Sequence, residues 1–570
     1  MTIKHCAAII ALAFSASVLN AQGSKAPENW FTLDPVTDKV NGTGGDQALK
    51  DLKAKGKKSQ TIIVAVLDSG IDVDHEDLKD IMWVNPGEIA GNGKDDDGNG
   101  YVDDIHGWNF LGGKDGKNVH HETLELTREY VRLSKRFKGT DPKNLYGPAK
   151  EEYKYYEQIK TAYEEARAEA EDGKARIEGQ IQKVEEAFVT VEKAIGKKEF
   201  TAEELSKVDA GSNAELQQAL AIVQAMIAQG ITSRDVLEEE KKGATEYFDN
   251  QLAYNLNPDY NPRDAVGDDP NNLTNRIYGS NDYEGPDAFH GTHVAGIIAA
   301  VRNNGVGING IADNVRIMTV RCVPDGDERD KDVANAIYYA VDNGASIINM
   351  SFGKGYSPQK DYVDAAMRYA AEHDVLLIHA AGNDAENNDT DPNFPNDNYT
   401  KPVKAGLFKK DKTVPTWLEI GALSWKSGDS RIASFSNYGK ANVDLFSPGH
   451  QIYSTVPDSK YGNASGTSMA APAAAGVAAI LRSYYPELSA RQVKDIMINS
   501  VAKQDGQVTK PGTTDKVSFT ELCVSGGIVS ATNAVALAEK TKGKKVKKAI
   551  WREAGMGKAP KSKKEKSVTP

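Results

Sequence analysis

The sequence predicts an α/β fold, a parallel sheet with helices on both faces, interrupted by an inserted α-helical lobe. Three observations carry the prediction. Residues 61–67, Thr-Ile-Ile-Val-Ala-Val-Leu, form a β-branched run without polar alternation, the pattern of a strand covered on both faces. From about residue 286 to 540, short apolar runs alternate with helical stretches, which implies parallel strands joined by helices. Between these parts, residues 148–252 are poor in Gly and rich in Glu, Lys and Ala at helical spacing.

The 570 residues are 39% apolar, enough for a sizeable core. The net charge is −12 and unevenly placed. The last 31 residues hold 11 Lys and one Arg against two Glu, or +10, which leaves −22 on the rest. An acidic body excludes nucleic acid as a main partner and suits cations such as calcium. The basic tail, 541–570, reads as solvated disorder.

Residues 1–21 read as a signal peptide: Lys4, an apolar stretch from Cys6 to Leu19, and cleavage after Ala21. Export to the periplasm, surface or medium follows, with no transmembrane segment in the mature chain. Cys322 and Cys523 then remain, either paired or as two buried thiols. Residues 22–60 form a polar extension with little periodicity beyond Trp30-Phe31.

The first strand ends in Asp68-Ser69-Gly70-Ile71-Asp72. A carboxylate at the C-terminal edge of a buried parallel strand stands where open α/β sheets hold ligands, although a turn cap reads the same way. In the stretch 91–106, Asp95, Asp97 and Asn99 alternate, Gly100 takes the sixth place, Tyr101 offers a carbonyl and Asp103 follows. That is the spacing of a calcium loop, and a solvated acidic turn is the other reading. His106 at the twelfth place excludes a full EF-hand. In the lobe, Tyr156, Ile159, Tyr163, Ala166 and Ala170 make one stripe and Ile181, Val184, Phe188, Val191 and Ile195 another. Gly196, Gly211 and Gly230 punctuate them, and Thr201 with Glu204 predicts a capping box. The lobe reads as antiparallel helices serving as a spacer or as an arm for a partner.

Beyond it, Phe289-His290-Gly291-Thr292-His293 opens an apolar helix. Strands follow at 315–320, 345–350, 375–379, 417–423 and 443–446, with helices at 333–343, 362–372, 489–500 and 529–539. Residues 462–472, Gly-Asn-Ala-Ser-Gly-Thr-Ser-Met-Ala-Ala-Pro, place Ser468 where a small-residue loop enters an Ala-rich helix, with Pro472 in its first turn. Alone, Ser468 reads equally well as an N-cap.

Asp68, His290, Asn383 and Ser468 all fall at strand ends or helix starts of this core. A serine hydroxyl needs a base, an imidazole is a suitable base, and a carboxylate fixes its tautomer. An Asn amide and the Ser468 N–H would stabilise an oxyanion. The order Asp, His, Ser is that of subtilisin.

On these motifs, with Asn349-Met350-Ser351-Phe352-Gly353 and Ala380-Ala381-Gly382-Asn383, the chain resembles the subtilase (S8) family of serine endopeptidases. The resemblance implies a subtilisin-like domain over 61–540 that cuts protein or peptide substrates. It implies Asp68, His290 and Ser468 as the triad, Asn383 at the oxyanion, and Ser351, Phe352 and Gly353 as the edge pairing with substrate. His293 is implied to be structural. Asp77 and Asn303 are implied as calcium side chains, in a loop that Gly305 makes one residue longer than the family pattern. The chain departs from the family in the separation of 222 positions from Asp68 to His290, in Lys354, expected to charge the cleft rim, and in too few residues before 61 for the usual prodomain. The alternative is a protein of the same fold whose lobe serves binding or adhesion, with proteolysis secondary.

Overall fold

The computed structural model describes residues 26–228, 230–404 and 410–544. The signal peptide expected at 1–21 and the basic tail beyond residue 544 lie outside them. The chain forms two compact units, one of residues 121–261 and one of residues 26–120 with 262–544.

The larger unit is built on nine strands: β1 Ile62–Asp68, β2 Gly107–Asn109, β3 Val315–Arg321, β4 Ile347–Met350, β5 Leu376–Ala380, β6 Trp417–Leu423, β7 Leu445–Pro448, β8 Ala502–Lys503 and β9 Gly527–Ile528. They lie in the order β8-β9-β7-β6-β5-β4-β1-β3-β2. All neighbours are parallel except β8 and β9. The strand order reverses beside β1, where the crossovers to β3 and β4 leave in opposite directions. The carboxyl ends of the strands there are the ligand position of open α/β sheets.

Alternate residues of β1 serve opposite layers, which is why the run has no polar phase. Val64 and Val66 pack with the helix Thr467–Tyr484. Ala65 and Leu67 pack with the helices Asp330–Asp342 and Lys360–Glu372. The Ala-rich helix Thr467–Tyr484 lies against β4, β5, β6 and the helix Phe289–Ala299. Of its 18 residues only Ser468 is not buried. Small side chains let this helix approach its neighbours closely: a Cβ on Gly476 would meet the side chain of Ile311 at 2.6 Å.

Residues 26–60 are more than a polar extension. Trp30 is fully buried, the helix Gly45–Ala54 packs Ala48, Leu49 and Leu52 into the main core, and the Ala531 N–H donates to the Thr43 carbonyl at 2.7 Å. These partners lie hundreds of residues away in sequence, so local periodicity carries no trace of them. Cys322 and Cys523 are both buried free thiols, so the pairing left open by the sequence is not formed.

The smaller unit contains the helices Glu125–Phe137, Pro148–Ile195, Ala202–Ser206, Ala214–Ile227 and Arg234–Asn250. It begins well before residue 148, because the helix Glu125–Phe137 packs on the 48-residue helix, with Tyr130 and Tyr163 rings stacked at 4.1 Å. Gly196 ends the long helix at φ 81, the left-handed cap that glycine adopts without strain. The Thr201–Glu204 capping box forms as read. Ile181, Val184, Phe188 and Val191 are buried, as their stripe predicts.

Candidate active site

Asp68 is the last residue of β1, and His290 is the second residue of the helix Phe289–Ala299. Asn383 lies three residues past β5, and Ser468 is second in the helix Thr467–Tyr484. Close approach of the His290 helix to β1 depends on glycine. A Cβ on Gly291 would sit 2.1 Å from the Gly70 carbonyl oxygen. The far side of that helix is pinned by hydroxyls: Ser454 donates to the His293 carbonyl at 2.8 Å and Thr455 to the Thr292 carbonyl at 2.7 Å.

The structure brings Asp68 and His290 together. His290 Nδ1 lies 2.7 Å from Asp68 Oδ1, and the same oxygen accepts the Ser69 N–H at 2.8 Å. A carboxylate accepts, so Nδ1 carries the proton and Nε2 is the free base. Burial lowers the imidazole pKa, but the charge of Asp68 and its hydrogen bond outweigh that, with Asp287 adding to them. The net shift is above the ordinary histidine value. His293 is the opposite case. Burial, then the His290 charge, pushes it down to about 4, and its Nε2 meets the Ile452 and Gly462 carbonyls at 3.0 and 3.2 Å. It is a neutral structural donor, as the resemblance implies.

Ser468 Oγ donates to the Ser351 carbonyl at 3.0 Å, and Ser351 Oγ donates back to the Ser468 carbonyl at 2.9 Å. Pro472 is not in the first turn as expected. The helix begins at Thr467, which makes Pro472 its sixth residue and removes the N–H that would bond the Ser468 carbonyl.

The Asn383 oxygen accepts the Thr467 N–H at 2.8 Å and its hydroxyl at 3.0 Å. Only the amide oxygen accepts, so this pair orients Nδ2 as a free donor. A Cβ on Gly466 would lie 3.5 Å from Ser468 N and 3.6 Å from Asn383 Nδ2. Gly466 thus lies beside both the Ser468 N–H and the Asn383 amide, whose Oδ1 is also 3.6 Å from that Cβ. Asn437 supports the turn by accepting the Asp384 and Glu386 N–H groups at 2.9 and 3.0 Å. Neither Thr467 nor Asn437 has a sequence signal beyond lying near a motif.

Along the edge Ser351–Gly353, Gly353 is exposed and Phe352 is half-buried against the core. Asn393 spans the gap toward β5: a Cβ on Gly353 would meet its Oδ1 at 2.3 Å, and its amide donates to the Ala380 carbonyl at 3.1 Å. Lys354 does not charge the rim. It is buried, pairs with Asp330 at 2.9 Å and donates to the Glu328 carbonyl at 2.7 Å.

The acidic loop differs in detail from its sequence reading. Asp95 and Asp97 group with Glu88, their ligand oxygens all within 4.8 Å of one another. Asp103 instead accepts the Asn92 and Gly93 N–H groups at 3.2 and 2.7 Å, and Asn99 Oδ1 accepts the Tyr101 N–H at 2.7 Å. Glu88 stands seven residues before Asp95, outside any alternating pattern. At the second expected site, Asp77 meets Asn304, whose amide donates to it at 2.7 Å, and the Ile308 N–H at 3.1 Å. The side chain that meets Asp77 is that of Asn304, while the Asn303 N–H donates to Asn309 Oδ1 at 2.7 Å. Burial pushes the Asp77 carboxyl up, against the pull of those two donors. Among the described residues no cationic side chain pairs with it.

A mostly parallel α/β sheet with an Asp68–His290 hydrogen bond, and with Ser468 at a helix start of the same unit, resembles the arrangement of the triad-type serine hydrolases. The chain belongs to the subtilase family of subtilisin-like serine proteases, whose profile matches residues 59–518. A thermophilic serine proteinase of Bacillus sp. (strain AK1) is 35% identical over 257 residues, 45% of this chain and 54% of that protein. Thermitase of Thermoactinomyces vulgaris is 37% identical over 221 residues, 39% of this chain and 70% of its own. The chain thus spans about half the length of the first of these relatives. A solved structure described as proteases from Pseudoalteromonas arctica PAMC 21717 aligns at 28% identity and a TM-score of 0.36, covering 46% of this chain and 79% of its own.

Proposed function

We propose that the chain is an exported serine endopeptidase that hydrolyses peptide bonds of proteins through an acyl-enzyme. The observation that carries this reading is the 2.7 Å Asp68–His290 hydrogen bond, in a chain whose subtilase match spans both residues and Ser468. His290 Nε2 takes the proton of Ser468 Oγ as the oxygen attacks the substrate carbonyl. Asp68 holds the imidazolium that forms. The oxyanion is stabilised by Asn383 Nδ2 and the Ser468 N–H. His290 then protonates the leaving amine, and water repeats the sequence to release the acid. The edge Ser351–Gly353 pairs with the substrate main chain, so recognition is strand addition more than side-chain reading.

The test is covalent labelling with a peptidyl phosphonate followed by peptide mapping. The label is expected on Ser468, and a label elsewhere would sink the assignment. Asn383→Ala is expected to lower kcat by about 10²–10³-fold with little change in KM, the size known for this donor in subtilisin. An effect confined to KM would refute its role at the oxyanion.

Export rests on the residue 1–21 pattern, and among the described residues no helix is long and apolar enough to cross a membrane. Structural calcium fits two places. Asp77 offers a buried carboxylate that no cationic side chain pairs with among the described residues, and Glu88, Asp95 and Asp97 offer three convergent carboxylates. When bound, the ion supplies positive charge that offsets these acids. A cation that binds only the folded chain stabilises it, by about 2.7 kcal/mol at a hundredfold excess over Kd. Chelation is therefore expected to lower Tm by several degrees, restored by calcium and not by sodium. An unchanged Tm in chelator removes the calcium claim.

A further inference from the structure

We propose that the Ser351 hydroxyl is a positioning group for the nucleophile, made necessary by Pro472. The inference rests on the serine-endopeptidase reading and adds a residue role to it.

The argument starts from helix geometry. The carbonyl of residue i in an α-helix accepts the N–H of residue i+4. For Ser468 that partner is residue 472, and proline has no N–H. The Ser468 carbonyl therefore loses its place in the helix ladder at the residue whose side chain attacks. A helix carbonyl that loses its ladder partner in a partly buried place is costly to leave unbonded, so another donor is favoured. Ser351 supplies it: its Oγ–H donates to the Ser468 carbonyl at 2.9 Å.

The donor is held in turn. Asn349, fully buried in β4, donates its side-chain amide to Ser351 Oγ at 2.9 Å. That bond occupies an acceptor lobe of the hydroxyl and directs its proton at Ser468. Ser351 itself is buried, with 4% of its surface exposed. The polypeptide thus replaces a local helix bond with a link 117 residues long in sequence. The replacement couples two functions. The residue that opens the substrate-pairing edge also fixes the main chain of the nucleophile. The Ser468 hydroxyl donates to the Ser351 carbonyl at 3.0 Å, so Ser351 and Ser468 are joined in both directions. For attack, Oγ leaves that carbonyl and turns to His290, while the bond from Ser351 Oγ keeps the Ser468 backbone, and its oxyanion N–H, in place.

The test is a double-mutant cycle on the full chain: wild type, Ser351→Ala, Pro472→Ala and the double variant, read by kcat, KM and the rate of phosphonate labelling. Ser351→Ala is expected to lower kcat and the labelling rate by about tenfold to a hundredfold, with KM changed less than about threefold, because misplacing a reacting atom affects the chemical step. Pro472→Ala restores the N–H at position 472, and alanine favours the helix. In that background the Ser351→Ala effect is expected to shrink to about threefold or less. Ser351→Thr, which keeps the hydroxyl, is expected to recover most of the wild-type kcat. Equal losses from Ser351→Ala with and without Pro472 overturn the proposal, as does a loss seen in KM or Tm alone. Failure of the underlying reading is distinct: in that case wild type itself takes no label at Ser468.

Discussion

Replacing Ser468 by alanine is expected to cut kcat by about 10⁶-fold, the size known for the nucleophile of subtilisin, and to abolish phosphonate labelling. The size follows from what remains. Without Oγ no acyl-enzyme forms, and only water attack assisted by the oxyanion donors and substrate binding is left, about 10³–10⁴-fold above the uncatalysed rate. The fold is expected to persist. Ser468 is the one residue of its helix that is not buried, alanine suits a helix, and the hydroxyl gives up only its bond to the Ser351 carbonyl. Thermal melting beside chromogenic-peptide kinetics separates the two effects. A loss smaller than tenfold with an intact melt would exclude Ser468 as nucleophile.

Asp68→Asn is expected to lower kcat by about 10⁴-fold near neutral pH. An asparagine amide can donate to His290 Nδ1, which moves the imidazole proton to Nε2 and leaves no base facing Ser468. The pH profile carries a separate signature. His290 must be neutral to act, and in wild type Asp68 holds its pKa above the ordinary value despite burial. The acid limb of kcat/KM is therefore expected above the free-histidine pKa of about 6.5. It should fall to lower pH in Asp68→Asn. Stability runs the other way. A raised folded-state pKa contributes stability that is fully present below the unfolded value and is lost as pH rises through the folded one. The His290–Asp68 pair thus favours folding on the acid side while activity disappears there. Titration of kcat/KM for both proteins checks the sign, and an acid limb that does not move removes Asp68 as the partner of His290.

Much of the site is legible in the residues alone because each part is local. The run 61–67 ends in Asp68 because buried strands end in turns. His290 and Ser468 both stand second in their helices, and Gly291 admits the Gly70 carbonyl close to the first of these. The ends of β6, Trp417–Leu423, match the residues read as a strand, since an apolar run bounded by polar residues defines itself. Other features need a partner that the chain brings from afar. Glu88 joins Asp95 and Asp97 only through the folding of the loop, while Asp103 turns away to two amides. Of the adjacent Asn303 and Asn304, only the fold selects Asn304 to face Asp77, a choice that spacing could not resolve. Lys354 looks like a surface charge until Asp330 covers it.

By itself the sequence determined the alternation of strands and helices, the order Asp68, His290, Ser468, and Asn383 as a candidate donor. These follow from short-range rules of periodicity, turn chemistry and side-chain reactivity. The tertiary structure decided which nitrogen of His290 holds the proton, which way the Asn383 amide faces, and that residues 26–60 belong to the core. It also decided that Pro472 lies inside the helix, so that the carbonyl of Ser468 depends on Ser351. Apart from the place of Pro472 in its helix, each of these is a hydrogen bond or a contact between residues far apart in the chain, and only packing sets such distances.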